Sequence, residues 1–233
     1  MQMHETPTKL GEWSSNIMDV QKIVVISAGL GTPSSSRLLA DQLGDATARR
    51  AAGLGIEARV TTYELRDLAV DIANNFVTGF AAPKLAEAIT AVEGADALIV
   101  VSPVFSASYS GLFKSFFDLI DNKALEGTPV LLGATGGSQR HSMVIDFAMR
   151  PLFSYLRARI MPTAVFAAPM DWGQSVDGDP AGTGDLTSRV ERAATELATE
   201  LAQDGGASAA PKVATRPEEK SFEELLADLT SGR

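Results

Sequence analysis

Ser102-Pro-Val-Phe-Ser-Ala-Ser-Tyr-Ser-Gly-Leu-Phe-Lys-Ser-Phe-Phe-Asp118 is the stretch that decides the fold. The run Ala97 to Val101 ahead of it is wholly apolar, as a strand buried on both faces of a parallel sheet must be. That strand is predicted to stop at Pro103, expose an aromatic loop and re-enter a helix from Gly111 to Asp121. A loop so placed falls at the carboxyl edge, where open α/β sheets bind ligands. The plainer alternative is a strand-to-helix turn with Phe105 and Tyr109 packed into the core.

Outward from this stretch the same alternation repeats. Strands are predicted at 22–27, 58–63, 97–101, 130–134 and 164–168. Helices follow at 37–52, 85–92, 111–121, 142–157 and 186–202. In the first helix Leu38, Leu39, Leu43 and Ala46 are expected to share one side. Five βα units call for an α/β three-layer sandwich, a five-stranded parallel sheet with helices on both faces. The flavodoxin-like strand order 2-1-3-4-5 is favoured, because the first and third strands then carry ligand loops side by side. Asn74 to Pro83 reads as a flexible segment near the same edge.

Three of the strands lead into loops with distinct chemistry. After Lys22-Ile-Val-Val-Ile-Ser27 comes Ala28-Gly-Leu-Gly-Thr-Pro-Ser-Ser-Ser-Arg37. Its backbone N–H groups, the hydroxyls of Ser34, Ser35 and Ser36, and the positive end of the next helix can point at a dianion. A simple N-cap would also use Pro33 and one serine, but three adjacent serines exceed that need. Gly29-Leu-Gly31-Thr-Pro-Ser34 lacks the third glycine of a dinucleotide loop, and no Gly-x-x-x-x-Gly-Lys phosphate loop occurs. The second loop is the aromatic one. The third, Gly136-Gly-Ser-Gln-Arg-His141, lets the backbone approach a ligand and offers Ser138 and Gln139 to a heteroaromatic edge, or is a flexible turn. Phosphate, ring and ring edge, in chain order, are the parts of flavin mononucleotide.

Residues 22–169 resemble the NADPH-dependent FMN reductases of the flavodoxin-like superfamily, and most closely the reductase components of two-component flavin monooxygenase systems. The resemblance rests on Ser102-Pro-Val-Phe105, on Ser108-Tyr-Ser-Gly-Leu-Phe-Lys114 with Asp118-Leu119, and on Ala134-Thr-Gly-Gly-Ser138 followed by Arg150-Pro-Leu152. It implies that Ser27, Thr32, Pro33, Ser34, Ser35 and Ser36 hold the FMN phosphate. It implies further that Pro103, Val104, Phe105 and Ser106 lie against the isoalloxazine, and that Thr135, Gly136, Gly137 and Ser138 line its edge. The nicotinamide of NADPH or NADH would stack over Phe105, near Ser106 and Ala107. Many relatives carry Gly-Ser-x-Arg in the first loop; here the stretch is Gly29-Leu-Gly-Thr32, and the first nearby cation is Arg37. Relatives often have tyrosine where Phe105 stands. Tyr109 matches a tyrosine that in some of these reductases sits in a wide helical turn at a subunit interface; the alternative is an ordinary half-buried tyrosine on the helix of Gly111.

Composition agrees with this reading. The absence of cysteine excludes disulfides, a catalytic thiol and thiolate metal sites, and fits a cytoplasmic setting; two histidines cannot make a multi-histidine metal site. A net charge of −9 argues against nucleic acid and anionic membranes as partners. His141 invites a hydrolase reading, but Gly-x-Ser-x-Gly is absent. Hydride transfer calls for no catalytic acid, base or nucleophile, because the cofactor carries that chemistry.

Three segments are expected. Residues 1–19 are loose and lack the basic-then-apolar pattern of a signal peptide. Residues 20–203 form the FMN-binding domain. Residues 204–233 are a linker and an acidic amphipathic tail with Phe222, Leu225, Leu226 and Leu229 at helical spacing.

The expected function is NAD(P)H-dependent reduction of FMN for a partner monooxygenase, by a homodimer or homotetramer. The alternatives are a reductase that retains FMN and reduces quinones, azo dyes or metal ions, and a non-enzymatic flavodoxin-like electron carrier.

Overall fold

Apolar alternation in the first strand, β1 (Gln21–Ser27), sends Ile23 and Val25 to one side of the sheet and Val24 and Ile26 to the other. Each side is covered by helices in the computed structural model, which describes residues 20–172 and 185–204. One layer is made by α1 (Ser35–Gly53) and α6 (Leu186–Asp204), with Leu39, Leu43, Ala46, Val190 and Leu197 against the sheet. The other holds α2 (Ala69–Thr78), α3 (Pro83–Glu93), α4 (Gly111–Phe117) and α5 (Arg150–Tyr155). There Phe113, Phe117 and Phe153 form an aromatic cluster, with ring centroids 4.7 Å and 5.0 Å apart along the chain of contacts. Full burial of a large side chain contributes roughly 1.5–3 kcal/mol, so packing of both layers holds the sheet between them.

The remaining strands are β2 (Ala58–Glu64), β3 (Ala97–Phe105), β4 (Ser108–Tyr109), β5 (Pro129–Thr135), β6 (Arg159–Ile160) and β7 (Val165–Ala167). The path β2-β1-β3-β5-β6 is parallel throughout and matches the expected order 2-1-3-4-5. Seven strand segments appear rather than five for two reasons. The fifth strand is broken: β6 pairs with Pro129 and Val130, β7 pairs with Gly133 to Thr135, and Met161 to Ala164 bridge them around Pro162. Arg150 donates to the freed carbonyls of Met161 and Pro162 at 3.2 and 2.7 Å, while Glu196 accepts from the Thr163 N–H and hydroxyl. The second addition is β4, which folds back antiparallel on the end of β3.

Several expectations need correction. The strand does not stop at Pro103 but runs to Phe105. Val101 O accepts the Ala28 N–H, so residues 101 and 103 both turn their polar backbone toward β1, which has already ended; the donor missing from Pro103 leaves no ladder bond unmade. Of the segment 74–83, residues 74–78 belong to the end of α2, closed by Gly79 at φ 74°, and only 79–82 form a connecting loop. Leu38 is exposed: it lies one residue, and so 100°, away from the face shared by Leu39, Leu43 and Ala46. The helix from Gly111 ends at Phe117. The single helix expected over 142–157 is a tight turn at Gln139–His141, a π turn at Ile145–Met149 and α5. Thus the wide helical turn lies there and not at Tyr109, which sits half-buried in β4 with its ring 5.5 Å from Phe113. The expected loose N-terminus and amphipathic tail lie outside the described residues. Among the described residues no helix is long and apolar enough to cross a membrane.

Candidate functional site

Register fixes which loop ends meet. Ser27 lies beside Val101, and Ser102 and Pro103 lie beside Ala134 and Thr135, so β1, β3 and β5 deliver their loops to one edge. The loop after β1 is drawn tightly over the start of α1. Ser34 caps that helix, its Oγ accepting the Arg37 N–H at 3.2 Å and its carbonyl the Leu38 N–H at 3.0 Å. The N–H groups of Ser35 and Ser36 therefore precede the first intrahelical bond and carry the positive end of a 19-residue helix. Gly29 leaves room for the Ser34 cap, since a Cβ there would fall 2.0 Å from Ser34 Oγ.

Ser27 is fully buried, and its Oγ has no hydrogen-bond partner among the described residues. By the alternation of β1 it follows Ile23 and Val25 to the face of α1. An orphan buried hydroxyl costs about 1–3 kcal/mol, and a phosphate oxygen at the α1 terminus would satisfy it. These residues fit the phosphate of FMN on that ground. Thr32 and Pro33 form the exposed crest of the same loop.

The second loop is a two-residue hairpin turn. Ser106 and Ala107 adopt φ 48° and 64°, the left-handed values that the favoured turn of a tight hairpin demands at both central positions. Neither residue is glycine or asparagine, so the turn holds strain of order 1–3 kcal/mol per residue. The base is stitched by Ser102, whose buried Oγ accepts the Ser110 N–H at 3.0 Å and donates to Pro103 O at 2.9 Å. Ser110 in turn caps α4 through the Phe113 N–H. The result presents Phe105, 47% exposed, at the tip of a rigid support. It is a flat apolar face of the kind an isoalloxazine or nicotinamide stacks against.

The third loop begins at Thr135, whose buried Oγ1 lies 2.7 Å from Ser36 Oγ. This bond joins the first loop to the third across 99 residues of sequence. Gly136 donates its N–H to Ala167 O at 3.1 Å, and a Cβ on it would meet Phe166 Cζ at 2.9 Å; packing on Phe166, rather than approach to a ligand, requires that glycine. Gly137 faces open space. Beyond it, Ser138 accepts from Arg140 N, and an open groove of about 480 Å³ runs between Gly137–Arg140 and Ala168–Met170.

The nearest cation in sequence does not face the first loop. Arg37 Nε donates to Asp41 at 2.7 Å and Nη1 to Glu64 at 2.8 Å. The Asp41 hydrogen bond above all holds this guanidinium charged beyond its ordinary range. Arg66, which the sequence reading passed over, reaches the loop instead: its Nη1 donates to Gly31 O at 2.7 Å and to the Thr32 hydroxyl. Nothing in the local sequence announces this, because the contact depends on β2 pairing beside β1 with Glu64 level with Ser27. A second groove, of about 620 Å³, lies between Tyr109, Lys114, Phe147 and Tyr155 and contains none of the predicted flavin residues. Among the described residues no group of three His, Cys, Asp or Glu could hold a metal.

Residues 21–173 match the sequence profile of the family described as NADPH-dependent FMN reductase. The FMN reductase (NADPH) of Pseudomonas aeruginosa is 41% identical over 151 residues, covering 65% of this chain and 78% of that protein. The NADH-dependent FMN reductase SfnF of Pseudomonas putida is 36% identical over 173 residues, covering 74% and 89%. Among solved structures, an oxidoreductase from Corynebacterium diphtheriae aligns with a TM-score of 0.73 at 44% identity, over 79% of this chain and 98% of that one. The apo form of an NADH:FMN oxidoreductase, EmoB, aligns at 0.64 and 26% identity, over 78% and 90%.

Proposed function

We propose, on the premise that this chain belongs to the NADPH-dependent FMN reductase family, that it catalyses the NAD(P)H-dependent reduction of FMN and releases the reduced flavin to a partner flavin-dependent monooxygenase. The observation that carries the reading is the meeting at one sheet edge of an orphan buried hydroxyl under a helix N-terminus, a rigid aromatic hairpin and a glycine loop. Relatives are named for both nicotinamides, and either is a hydride donor in this reading.

When bound, FMN would supply the hydride-accepting ring for the nicotinamide, and this chain's residues would bind and orient the two without covalent chemistry of their own. Ser27, the Ser34–Ser36 turn and the free N–H groups of α1 hold the phosphate. Pro103, Val104, Phe105 and Ser106 would lie against the ring, and the nicotinamide would stack over Phe105, near Ser106 and Ala107. Thr135 to Ser138 border the ring edge, and the Ser36–Thr135 bond keeps that edge in register with the phosphate turn. Holding both rings in contact converts an encounter of two solutes into an oriented transfer.

A cytoplasmic protein forming a homodimer or homotetramer is part of the same reading. Phe147, 73% exposed within the π turn, and the exposed Tyr155 support it as a face to be covered; sedimentation of the purified protein tests it. The test of function is NADH and NADPH oxidation by the purified apo protein at increasing free FMN. Saturable dependence on FMN, with the flavin recovered in the ultrafiltrate, is expected. Oxidation that needs retained FMN and an added quinone would favour the quinone, azo or metal reductase, and no oxidation would favour an electron carrier.

A further inference from the structure

We propose that Arg66 is the positioning residue of the phosphate loop, setting the protein's preference for FMN over flavin without a phosphate. The inference rests on the proposed FMN site and concerns how that site recognises its anion.

The loop's own chemistry leaves a gap. Between Ala28 and Ser36 there is no basic residue, and Arg37 points away to Asp41 and Glu64. A dianion seated over this loop must also avoid the loop's carbonyl oxygens, which repel it. Arg66 answers both needs. It leaves the tight turn Leu65–Leu68 after β2 and crosses to the neighbouring strand's loop, donating to Gly31 O at 2.7 Å. That contact pins the carbonyl and neutralises its partial charge. The same Nη1 donates to Thr32 Oγ1, so the hydroxyl acts there as acceptor and its proton is free for a second partner. Arg66 thereby turns Thr32 into a donor at the crest of the loop and brings a guanidinium charge to it.

Glu64 keeps Arg66 in this pose. One carboxylate oxygen accepts from Arg37; the other lies 3.0 Å from Arg66 Nη2, an ion pair without hydrogen-bond alignment. Asp67, 3.7 Å from Arg66 Nε, is more exposed and adds little. Removing Arg66 would free the Gly31 carbonyl, unset Thr32 and leave Glu64 with one of its two cations, level with Ser27 in the sheet. All three changes act against a phosphate, and none acts against the ring over Phe105.

The experiment compares equilibrium binding of FMN and riboflavin, which share a ring and differ in the phosphate, by quenching of flavin fluorescence. Wild type, Arg66→Gln, Arg66→Lys and Thr32→Val are measured, with thermal melts to confirm folding. Arg66→Gln is expected to weaken FMN about 10- to 100-fold and riboflavin less than about 3-fold. Arg66→Lys, a point charge without the two-acceptor fork, should recover part of the loss. Thr32→Val, which leaves Arg66 in place, should weaken FMN by about 5- to 10-fold and riboflavin not at all. Equal losses for both flavins, or unchanged FMN binding in Arg66→Gln, would overturn the inference and leave the proposed function standing. A wild-type protein that binds neither flavin would overturn both.

Discussion

Replacing Gly29 by alanine is expected to act through a single hydroxyl. The new Cβ would fall 2.0 Å from Ser34 Oγ, with Ser36 Cβ at 3.1 Å and Ser34 Cβ at 3.2 Å. The two carbons need yield only a few tenths of an ångström, but the hydroxyl must rotate away. Rotation breaks the cap on α1, in which Ser34 Oγ accepts the Arg37 N–H. Loss of a serine cap costs about 1 kcal/mol, a fall in Tm of about 2–4 °C for a domain of this size. The same rotation withdraws one group from the proposed phosphate site, and a loss of about 1.4 kcal/mol there corresponds to about tenfold in FMN affinity. Ser34→Ala removes both the obstacle and the cap, so alone it should cost about the same. Gly29→Ala added to Ser34→Ala should then cost little, and a double-mutant cycle by urea denaturation should give a compensating coupling of about 1 kcal/mol. Penalties that simply add, to within about 0.3–0.5 kcal/mol, would refute the account of this loop.

Phe105→Ala should leave stability within about 0.5 kcal/mol, because the ring is half exposed, while raising the Kd for FMN and lowering turnover at least several-fold; flavin titration with a thermal melt checks both. Ser36→Ala leaves the buried Thr135 hydroxyl without its partner and should destabilise by about 1–3 kcal/mol, whereas Ser36→Ala with Thr135→Val should restore most of that, as read by urea midpoints. Arg37→Ala should leave FMN affinity unchanged within about twofold, since its guanidinium is committed to Asp41 and Glu64, and the same titration decides it. Ala107→Gly should raise Tm by about 2–4 °C by relieving a left-handed backbone, measured by calorimetry.

The middle of the sheet was legible because β1, β3 and β5 are buried on both faces and so read as nearly unbroken apolar runs, as Ala97 to Val101 does, whereas the edge strand β2 is half exposed and carries Arg59, Thr61 and Thr62. Elements decided by tertiary contact were not. The fifth strand breaks at Pro162 because Arg150 and Glu196, 12 and 34 residues distant, supply the hydrogen bonds the ladder gives up. The hairpin after Phe105 carries Ser-Ala where Asn-Gly would have announced it, and the strain is held by Ser102 and Ser110 beneath. α2 was missed although Val70, Ile72, Phe76 and Val77 share one side of it, because Asn74, Asn75 and Gly79 read as a turn; of that apolar side only Ile72 is buried. At the site, serines and glycines marked the three loops, but the arginine that reaches the first of them comes from the adjacent strand. No local spacing encodes that.

The central claim, that FMN is reduced here and leaves, is tested most directly by mixing a catalytic amount of the protein with excess FMN and NADPH or NADH without oxygen and following flavin absorbance near 450 nm. Bleaching of many FMN equivalents per chain, at a rate proportional to protein, is the expected result. Bleaching that stops at one equivalent per chain, or does not begin with either nicotinamide, would contradict it.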